Sequence, residues 1–104
     1  MILALGGCDD VTNKYSTLED ARDAELFHRG WLPDILPVSA YDIRVTNDLD
    51  ANTSEGEFSF EPADFPSFAA RFESFNQPFV YSEDGYTWTF FCDLATGHCY
   101  YSMR

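Results

Sequence analysis

Apolar side chains recur at helical spacing between residues 17 and 29, which predicts a first helix. Ser16 and Glu19 have the spacing of a capping box, in which each side chain binds the backbone N–H group of the other residue. Gly30 can adopt the backbone conformation that ends many helices. We therefore expect a helix over residues 17–29 that is capped by Ser16 and closed at Gly30.

Phenylalanines at helical spacing predict a second helix, which begins at Asp64. Pro66 suits the first turn of this helix, because the N–H group that proline lacks would have no helical partner there. An apolar stripe of this kind is more typical of a helix packed on a core than of a ligand groove. The stripe consists of Phe65, Phe68, Phe72 and Phe75.

Alternating apolar and polar residues predict the strands. Residues 41–49 and 57–61 alternate on either side of a polar connection, which predicts a hairpin. Further strands are predicted over residues 79–82, 86–93 and 98–103, with turns at 83–85 and 94–97. The side chains of the first strand that are expected to face the core are Tyr41, Ile43, Val45 and Leu49.

The predicted order of elements is αββαβββ, which corresponds to an α+β fold. Two helices would pack on a mainly antiparallel sheet of about five strands. Between the first helix and the first strand, residues 31–37 contain prolines among large apolar side chains. Because proline restricts its own backbone and that of the preceding residue, we expect a stiff loop that packs on the core.

The composition restricts the classes of partner. A chain of 104 residues forms one domain, and ten Phe, six Tyr and two Trp make an aromatic core. The net charge of −12 disfavours nucleic acid and flat binding to anionic lipid, because both require cationic groups. A protein partner with a basic face is compatible with this charge, although acidity also serves solubility alone.

The segment Leu5-Gly6-Gly7-Cys8 resembles the lipobox of bacterial lipoproteins, in which small residues precede a cysteine that receives lipid. The resemblance implies a periplasmic lipoprotein of the cell envelope, held at the membrane by acyl chains on Cys8. Asp9 and Asp10 follow the cysteine, and an aspartate there favours retention at the inner membrane in many Gram-negative lipoproteins.

A complete secretory signal has a basic segment before its apolar run, and no Lys or Arg precedes Cys8. On the lipoprotein hypothesis, the chain divides into a truncated signal over residues 1–8, a polar tether over 9–16 and one globular domain over 17–104. The alternative is that a short apolar N-terminus packs on the core and buries a free Cys8.

The other two cysteines are predicted to form a disulfide within the last hairpin. If Asp93 and His98 close the loop, Cys92 lies directly opposite Cys99 in a non-hydrogen-bonded pair, whose Cα atoms are about 4.5 Å apart. Gly97 provides the positive φ that such a loop uses. A Cys92–Cys99 disulfide fits an oxidising compartment, whereas in the cytosol all three cysteines would be small apolar core residues.

The same register places Phe91 beside Tyr100 on the face of the sheet that the helices leave free. Hydroxyl side chains would surround the pair, and exposed aromatic rings among hydroxyl groups are typical of a recognition surface. Together with Trp31, Phe91 and Tyr100 form the candidate binding surface. The alternative is that the loop over residues 31–37 covers the pair.

No motif in the sequence identifies a reaction or a metal site. An acidic segment has half of the oxygen spacing of a calcium loop, but Asp and Asn also favour turns through bonds to their own backbone. This segment contains Asp48, Asp50, Asn52 and Glu55. Ser39, His28 and Asp42 supply the residue types of a hydrolase triad without a nucleophile elbow. We therefore expect no catalytic residue, no bound metal and no cofactor.

Three segments of the chain are distinctive: Arg29-Gly30-Trp31-Leu32-Pro33-Asp34-Ile35-Leu36-Pro37-Val38-Ser39-Ala40-Tyr41-Asp42-Ile43, Asp48-Leu49-Asp50-Ala51-Asn52 and Phe58-Ser59-Phe60. They resemble the YbbD head domain, a family of small bacterial proteins with no assigned activity, whose members are often predicted lipoproteins. The resemblance covers residues 17–104 in layout and is most specific over 29–60. It implies a compact α+β domain outside the cytoplasm and supplies no catalytic residues.

These observations predict a lipid-anchored envelope protein that is not an enzyme and that binds another protein. The lipobox, the acidic surface and the missing catalytic motif support this hypothesis. The alternative is an immunity-type inhibitor that neutralises a toxin in the periplasm, because small size and strong negative charge would suit the capture of a basic toxin face.

Overall fold

The computed structural model describes residues 10–72 and 76–104, which form a six-stranded sheet and two short helices. The strands are β1 (Asp10–Thr17), β2 (Tyr41–Asp48), β3 (Thr53–Ser59), β4 (Phe79–Glu83), β5 (Tyr86–Asp93) and β6 (His98–Met103). The helices are α1 (Leu18–Asp23) and α2 (Phe65–Ala69), and one turn of 3-10 helix (Pro62–Asp64) precedes α2.

The strands lie in the order β1-β2-β3-β6-β5-β4, and each pair of neighbours is antiparallel. The sheet thus consists of two meanders of three strands, which are joined where β3 pairs with β6. The predicted α+β class and the mainly antiparallel sheet are confirmed. The predicted strand number and the order αββαβββ are wrong, because a sixth strand precedes α1 and the order is βαββαβββ.

The segment predicted to be a polar tether over residues 9–16 is instead mostly strand β1. Its backbone pairs with β2, and the hydroxyl groups of Thr12 and Thr46 lie 2.9 Å apart. Tyr15 packs against the core from this strand. The segment is polar because β1 is an edge strand, where a charged residue such as Lys14 also discourages pairing with another chain.

Helix α1 is shorter than predicted at both ends. Thr17, not Ser16, is the N-cap, and its hydroxyl accepts a hydrogen bond from Asp20 N at 3.1 Å. The helix ends at Asp23, and Glu25 then adopts a φ of 61°. Leu26 N bonds to Ala21 O at 3.1 Å, which closes the helix in the Schellman arrangement. A non-glycine residue therefore ends the helix, in the role that was predicted for Gly30.

Strand β2 departs from strict alternation at its first residues. The pairing with β3 shifts between Tyr41 and Arg44, where Asp42 has a φ of 49°. This bulge turns Tyr41 to solvent, although Ile43 and Val45 are fully buried. Leu49 lies beyond the end of β2 and is also exposed, so the prediction that all four apolar residues face the core is wrong at both ends.

An aromatic cluster forms the core between α2 and the sheet. Phe68 lies at its centre, and its ring meets those of Phe58, Phe72 and Phe90 edge-on at centroid distances of 6.1, 5.0 and 5.6 Å. The predicted loop over residues 31–37 packs against the same core through buried Leu32, Ile35 and Leu36. Phe75, the last member of the predicted stripe, lies outside the described residues.

The last hairpin has the predicted register. Asp93 pairs with His98 at the loop, and Cys92 lies directly opposite Cys99 with Cα atoms 4.0 Å apart. The two sulfur atoms are at disulfide-bonding distance. Gly97 has a φ of 71°, and a Cβ atom there would overlap the carbonyl oxygen of Phe60, so glycine is required at this position.

Candidate functional site

The sheet has a covered face and an open face. Side chains from α1, α2 and the loop over residues 31–37 share one buried cluster with the inward side chains of the strands. The opposite side, here called the open face, carries Arg44, Glu57, Tyr100 and Phe91 at positions that alternate with the buried residues. No described element packs over this side.

Five open-face residues form one row across the sheet, because consecutive strand pairings place them in register. The row runs Lys14, Arg44, Glu57, Tyr100, Phe91. Phe91 and Tyr100 end the row as adjacent aromatic residues that are 53% and 56% exposed. The structure therefore brings together two of the three residues of the predicted binding surface. The alternative that residues 31–37 cover the pair is wrong, since this loop packs on the other face.

The next row of the open face supplies hydroxyl groups beside the aromatic pair. It runs Thr12, Thr46, Glu55, Ser102, Thr89, Val80. Ser102 follows Tyr100 on the same side of β6, and Thr89 precedes Phe91 on the same side of β5. The aromatic pair thus has the polar, hydroxyl-rich surroundings that were predicted from the alternation.

A hydrogen-bonded array holds the open face beside Tyr100. Glu57 accepts hydrogen bonds from Arg44 and from His98 Nε2, the latter at 3.0 Å. His98 Nδ1 lies 2.9 Å from the hydroxyl of Ser59, and the His98 ring meets the Tyr100 ring edge-on at 4.9 Å. The array fixes the position of the histidine against which Tyr100 packs.

The electrostatics of this array centre on Glu57. Burial acts to raise the pKa of the Glu57 carboxyl group, but the hydrogen bonds from Arg44 and His98 outweigh burial and lower that pKa from its ordinary value. Glu57 is therefore charged at neutral pH. Alternation could have placed Glu57 and His98 on one face, but their contact depends on the pairing of β3 with β6, which are distant in sequence.

The array contains a serine, a histidine and a carboxylate in hydrogen-bonded sequence. A carboxylate can only accept, so His98 donates through Nε2 and its Nδ1 faces Ser59. The carboxylate is shared with Arg44, and the three side chains lie on the exposed face of a sheet. The hydrogen bonds join these side chains into one ordered array. The triple of Ser39, His28 and Asp42 is separate from it, and the Ser39 hydroxyl accepts a hydrogen bond from Glu61 N at 2.9 Å.

Trp31 lies apart from Phe91 and Tyr100, on the covered side of the sheet. The indole N–H of Trp88 donates to the Trp31 carbonyl oxygen at 3.0 Å, and the Trp88 side chain is buried with the core. Trp31 lines a cavity of about 560 Å³ between residues 27–35 and the β4–β5 hairpin. The predicted surface is therefore two surfaces on opposite sides of the sheet.

The cavity combines aromatic walls with charged residues. Its aromatic lining consists of Phe27, Trp31, Tyr81, Tyr86 and Trp88. Its carboxylates are Asp34, Glu83 and Asp84, and its basic side chains are His28 and Arg29. Asp34 forms an exposed ion pair with Arg22 at 2.9 Å. No pattern in the sequence indicates this cavity, because its walls come from segments that are distant along the chain.

The acidic segment that follows β2 forms a turn. Asp48 Oδ1 accepts hydrogen bonds from Asp50 N and Ala51 N, both at 3.0 Å. In residues 10–72 and 76–104, no cluster of three His, Cys, Asp or Glu side chains could hold a metal ion. Within the same ranges, no helix has the length and apolar character needed to cross a membrane. The predicted lipidation site, Cys8, lies outside the described residues.

A known protein family is similar to the first half of the chain. The family model of the YbbD head domain matches residues 9–59, a range that extends from β1 to the end of β3. No curated protein and no solved structure matches the chain. The match includes β1, which the predicted boundary at residue 17 had excluded, and it stops before the half of the sheet that bears Phe91 and Tyr100. The resemblance to the YbbD head domain family that the sequence indicates is thus confirmed over residues 9–59.

Proposed function

We propose that this chain is a lipid-anchored protein of the cell envelope, on the periplasmic side, and that its open face binds another protein. The observation that carries the binding function is the adjacent pair of Phe91 and Tyr100, each more than half exposed on a sheet face. The lipobox-like segment ending at Cys8 supports the anchor. The function requires no chemical step.

Burial of the aromatic pair would supply a useful part of a binding free energy. An aromatic side chain has roughly 200 Å² of surface, of which about half remains exposed here. At about 25 cal/mol per Å², each ring would contribute roughly 2.5 kcal/mol when a partner covers it. The surrounding hydroxyl groups would form a polar rim that a partner can hydrogen-bond. This composition matches the aromatic centre and polar edge of protein interfaces.

The charge of the chain indicates the kind of partner. Glu57 is already paired with Arg44, but Glu55 and Asp93 are exposed near the aromatic pair. A partner with basic residues around an apolar centre would complement both features. The net charge of −12 would also accelerate its association at low ionic strength.

Site-specific photocrosslinking in native envelopes tests this function. A photoreactive amino acid in place of Phe91 is expected to capture one defined envelope protein. The matched control is the same replacement at Leu49, which is 58% exposed but lies beyond the end of β2. Capture at both positions, or at neither, would contradict a binding surface centred on Phe91.

Affinity measurements with purified proteins then give the contribution of the open face to binding. Phe91→Ala and Tyr100→Ala are each expected to weaken binding of the captured protein at least about tenfold, as expected for side chains at the centre of an interface. Leu49→Ala should leave the affinity unchanged. Circular dichroism would show that the variants remain folded. Equal affinities for all variants would remove the open face from the proposed function.

The net charge of −12 favours a second candidate, an immunity-type inhibitor of a periplasmic toxin with a basic face. The two candidates differ in what the captured partner does. A toxin partner would lose its activity when this chain binds, and Phe91→Ala would restore that activity. An envelope protein whose own activity continues in the complex would rule out the inhibitor.

A further inference from the structure

We propose that the cavity beside Trp31 binds an organic ammonium group, the cationic part of ligands such as choline and ethanolamine. The cavity lies on the covered side of the sheet, so this site is distinct from the open face. The proposal goes beyond the proposed function and does not require the lipid anchor.

Three tilted aromatic rings form one wall of the cavity. Trp88 lies between Tyr81, its cross-strand neighbour on β4, and Tyr86, which precedes it on β5. The centroid of the Trp88 ring is 6.1 Å from that of Tyr81 and 6.5 Å from that of Tyr86, with interplanar angles of 50° and 55°. Rings inclined in this way do not stack on one another. A cation within about 6 Å of such a ring is attracted by the negative face of the π system.

Hydrogen bonds hold the wall in place. The Trp88 indole N–H donates to the carbonyl oxygen of Trp31, and the side-chain amide of Asn52 donates to the Tyr86 hydroxyl. These bonds join the loop that carries Trp31 and the β2–β3 connection to the β4–β5 hairpin. Because the rings are ordered by the protein itself, a ligand would lose little of its binding free energy in arranging them.

The carboxylates of the cavity select for positive charge. Glu83 and Asp84 lie at the β4–β5 turn and line the cavity, whereas the charge of Asp34 is balanced by Arg22. Arg29 opposes them as a basic residue of the lining. Two carboxylates therefore outnumber the one guanidinium of the lining, which also contains His28. An aromatic wall with a negative edge fits an ammonium group that carries an apolar body.

The dimensions and position of the cavity limit the ligand. A volume of about 560 Å³ lies within the range of small-molecule sites and exceeds that of an ammonium group alone. The cavity lies at the end of the sheet where Asp10 pairs with Asp48 and where the β2–β3 connection carries Asn52. The ammonium group could thus belong to a free small molecule or to a lipid headgroup, and the experiment separates these sources.

Tryptophan fluorescence provides a direct test. The chain contains two tryptophans, Trp31 and Trp88, and both line the cavity. Titration with choline at low ionic strength is expected to change their emission saturably. The control ligand is the uncharged carbon isostere of choline, in which a tert-butyl group replaces the trimethylammonium group. It should bind at least about tenfold more weakly, because it lacks the cation–π attraction. Equal responses to the two ligands, or none to choline, would overturn the proposal.

Variants assign the response to the cavity. Asp84→Asn is expected to weaken choline binding about threefold by removing one charge. Asparagine also suits the positive φ of 53° at this position, so the turn is kept. Arg29→Gln should instead tighten binding, about twofold. Glu61→Gln is the matched control, because Glu61 is an exposed carboxylate outside the cavity, and it should change nothing. Identical affinities for Asp84→Asn and Glu61→Gln would refute a role for the cavity carboxylates.

Vesicles distinguish the two sources of the ammonium group. A lipid headgroup would be supported if phosphatidylethanolamine vesicles shift the fluorescence and free choline competes with them. Phosphatidylglycerol vesicles should then give no shift. A response to choline with no response to either vesicle would support a small soluble ligand. A response to phosphatidylglycerol vesicles that matches that to phosphatidylethanolamine would contradict recognition of the ammonium group.

Discussion

Asn47 places a polar side chain on the covered face of β2, in register with Val11 and Ser54. It is buried, and among the described residues no donor serves its Oδ1 atom. The hydroxyl of Ser54, its neighbour on β3, is hydrogen-bonded to the Tyr101 hydroxyl at 2.8 Å. A buried acceptor without a partner costs stability in the folded state.

We expect Asn47→Val to raise the free energy of unfolding by about 1 kcal/mol, because it removes the unpaired acceptor and suits a buried strand. Urea denaturation measures the change. Asn47→Asp is the contrasting variant and should lower stability, since it buries a charge. A loss of stability in Asn47→Val would mean that the Asn47 amide is hydrogen-bonded in solution.

The stability that Glu57 contributes on the open face depends on pH. Its pKa is lowered in the folded protein because the hydrogen bonds from Arg44 and His98 exceed the opposing effect of burial. A carboxyl group with a lowered folded-state pKa stabilises the protein above its ordinary pKa of 4.5. That stabilisation is lost as the pH falls through the folded-state value.

Glu57→Gln should therefore show a smaller loss of stability than the native chain when the pH is lowered from neutrality to below 4.5. Thermal unfolding across this pH range measures the difference. Glu61→Gln controls for the removal of an exposed carboxylate and should follow the native profile. Parallel profiles for Glu57→Gln and the native chain would show that the array does not stabilise the charged carboxylate.

At the level of elements, local sequence patterns were sufficient to predict the register of two strands that a short turn connects. The β5–β6 pairing followed from the loop between Asp93 and His98, and the structure has that register. The turn at Asp84 and Gly85 likewise has two residues with positive φ, of 53° and 86°. In such hairpins, the turn fixes which side chains face each other.

The features that were not predicted depend on contacts between residues that are distant in sequence. Strand β1 has few apolar residues, and its pairing with β2 joins residues that α1 and a long loop separate. The end of α1 was misplaced because Glu25 adopts a conformation that sequence patterns assign to glycine. Phe91 and Tyr100 were predicted as a pair from one hairpin, whereas the cavity of Trp31 requires the whole tertiary fold.

The β5–β6 hairpin carries a prediction about the disulfide. Closing a loop of this length should stabilise the protein by about 2–3 kcal/mol, because the disulfide lowers the conformational entropy of the unfolded chain. We expect Cys92→Ala/Cys99→Ala to lose that amount in urea denaturation, and the native chain in reductant to lose nearly as much. Peptide mapping after alkylation of the denatured, unreduced protein should find positions 92 and 99 unlabelled. Labelling at both would contradict the bond.

At the scale of the whole molecule, the position of β1 changes the expected relation to the membrane. With residues 10–17 in the sheet, only Asp9 stands between Cys8 and the first residue of β1. A lipid on Cys8 would hold the domain directly at the bilayer surface. The end of the sheet that contains Asp10 and the cavity would then lie nearest the lipid, and the net charge of −12 would oppose flat contact with anionic headgroups.

Lipidation is tested on the protein expressed with its native upstream sequence. We expect the native chain to carry a lipid-sized mass increment and to sediment with membranes, because several acyl chains suffice to anchor a domain. Cys8→Ala should lose both properties, whereas Cys92→Ala/Cys99→Ala should keep them, since those residues lie at the far hairpin. An unmodified native chain, or a Cys8→Ala variant that still sediments with membranes, would refute the anchor. The open face would then bind its partner without both proteins being held at the same membrane surface.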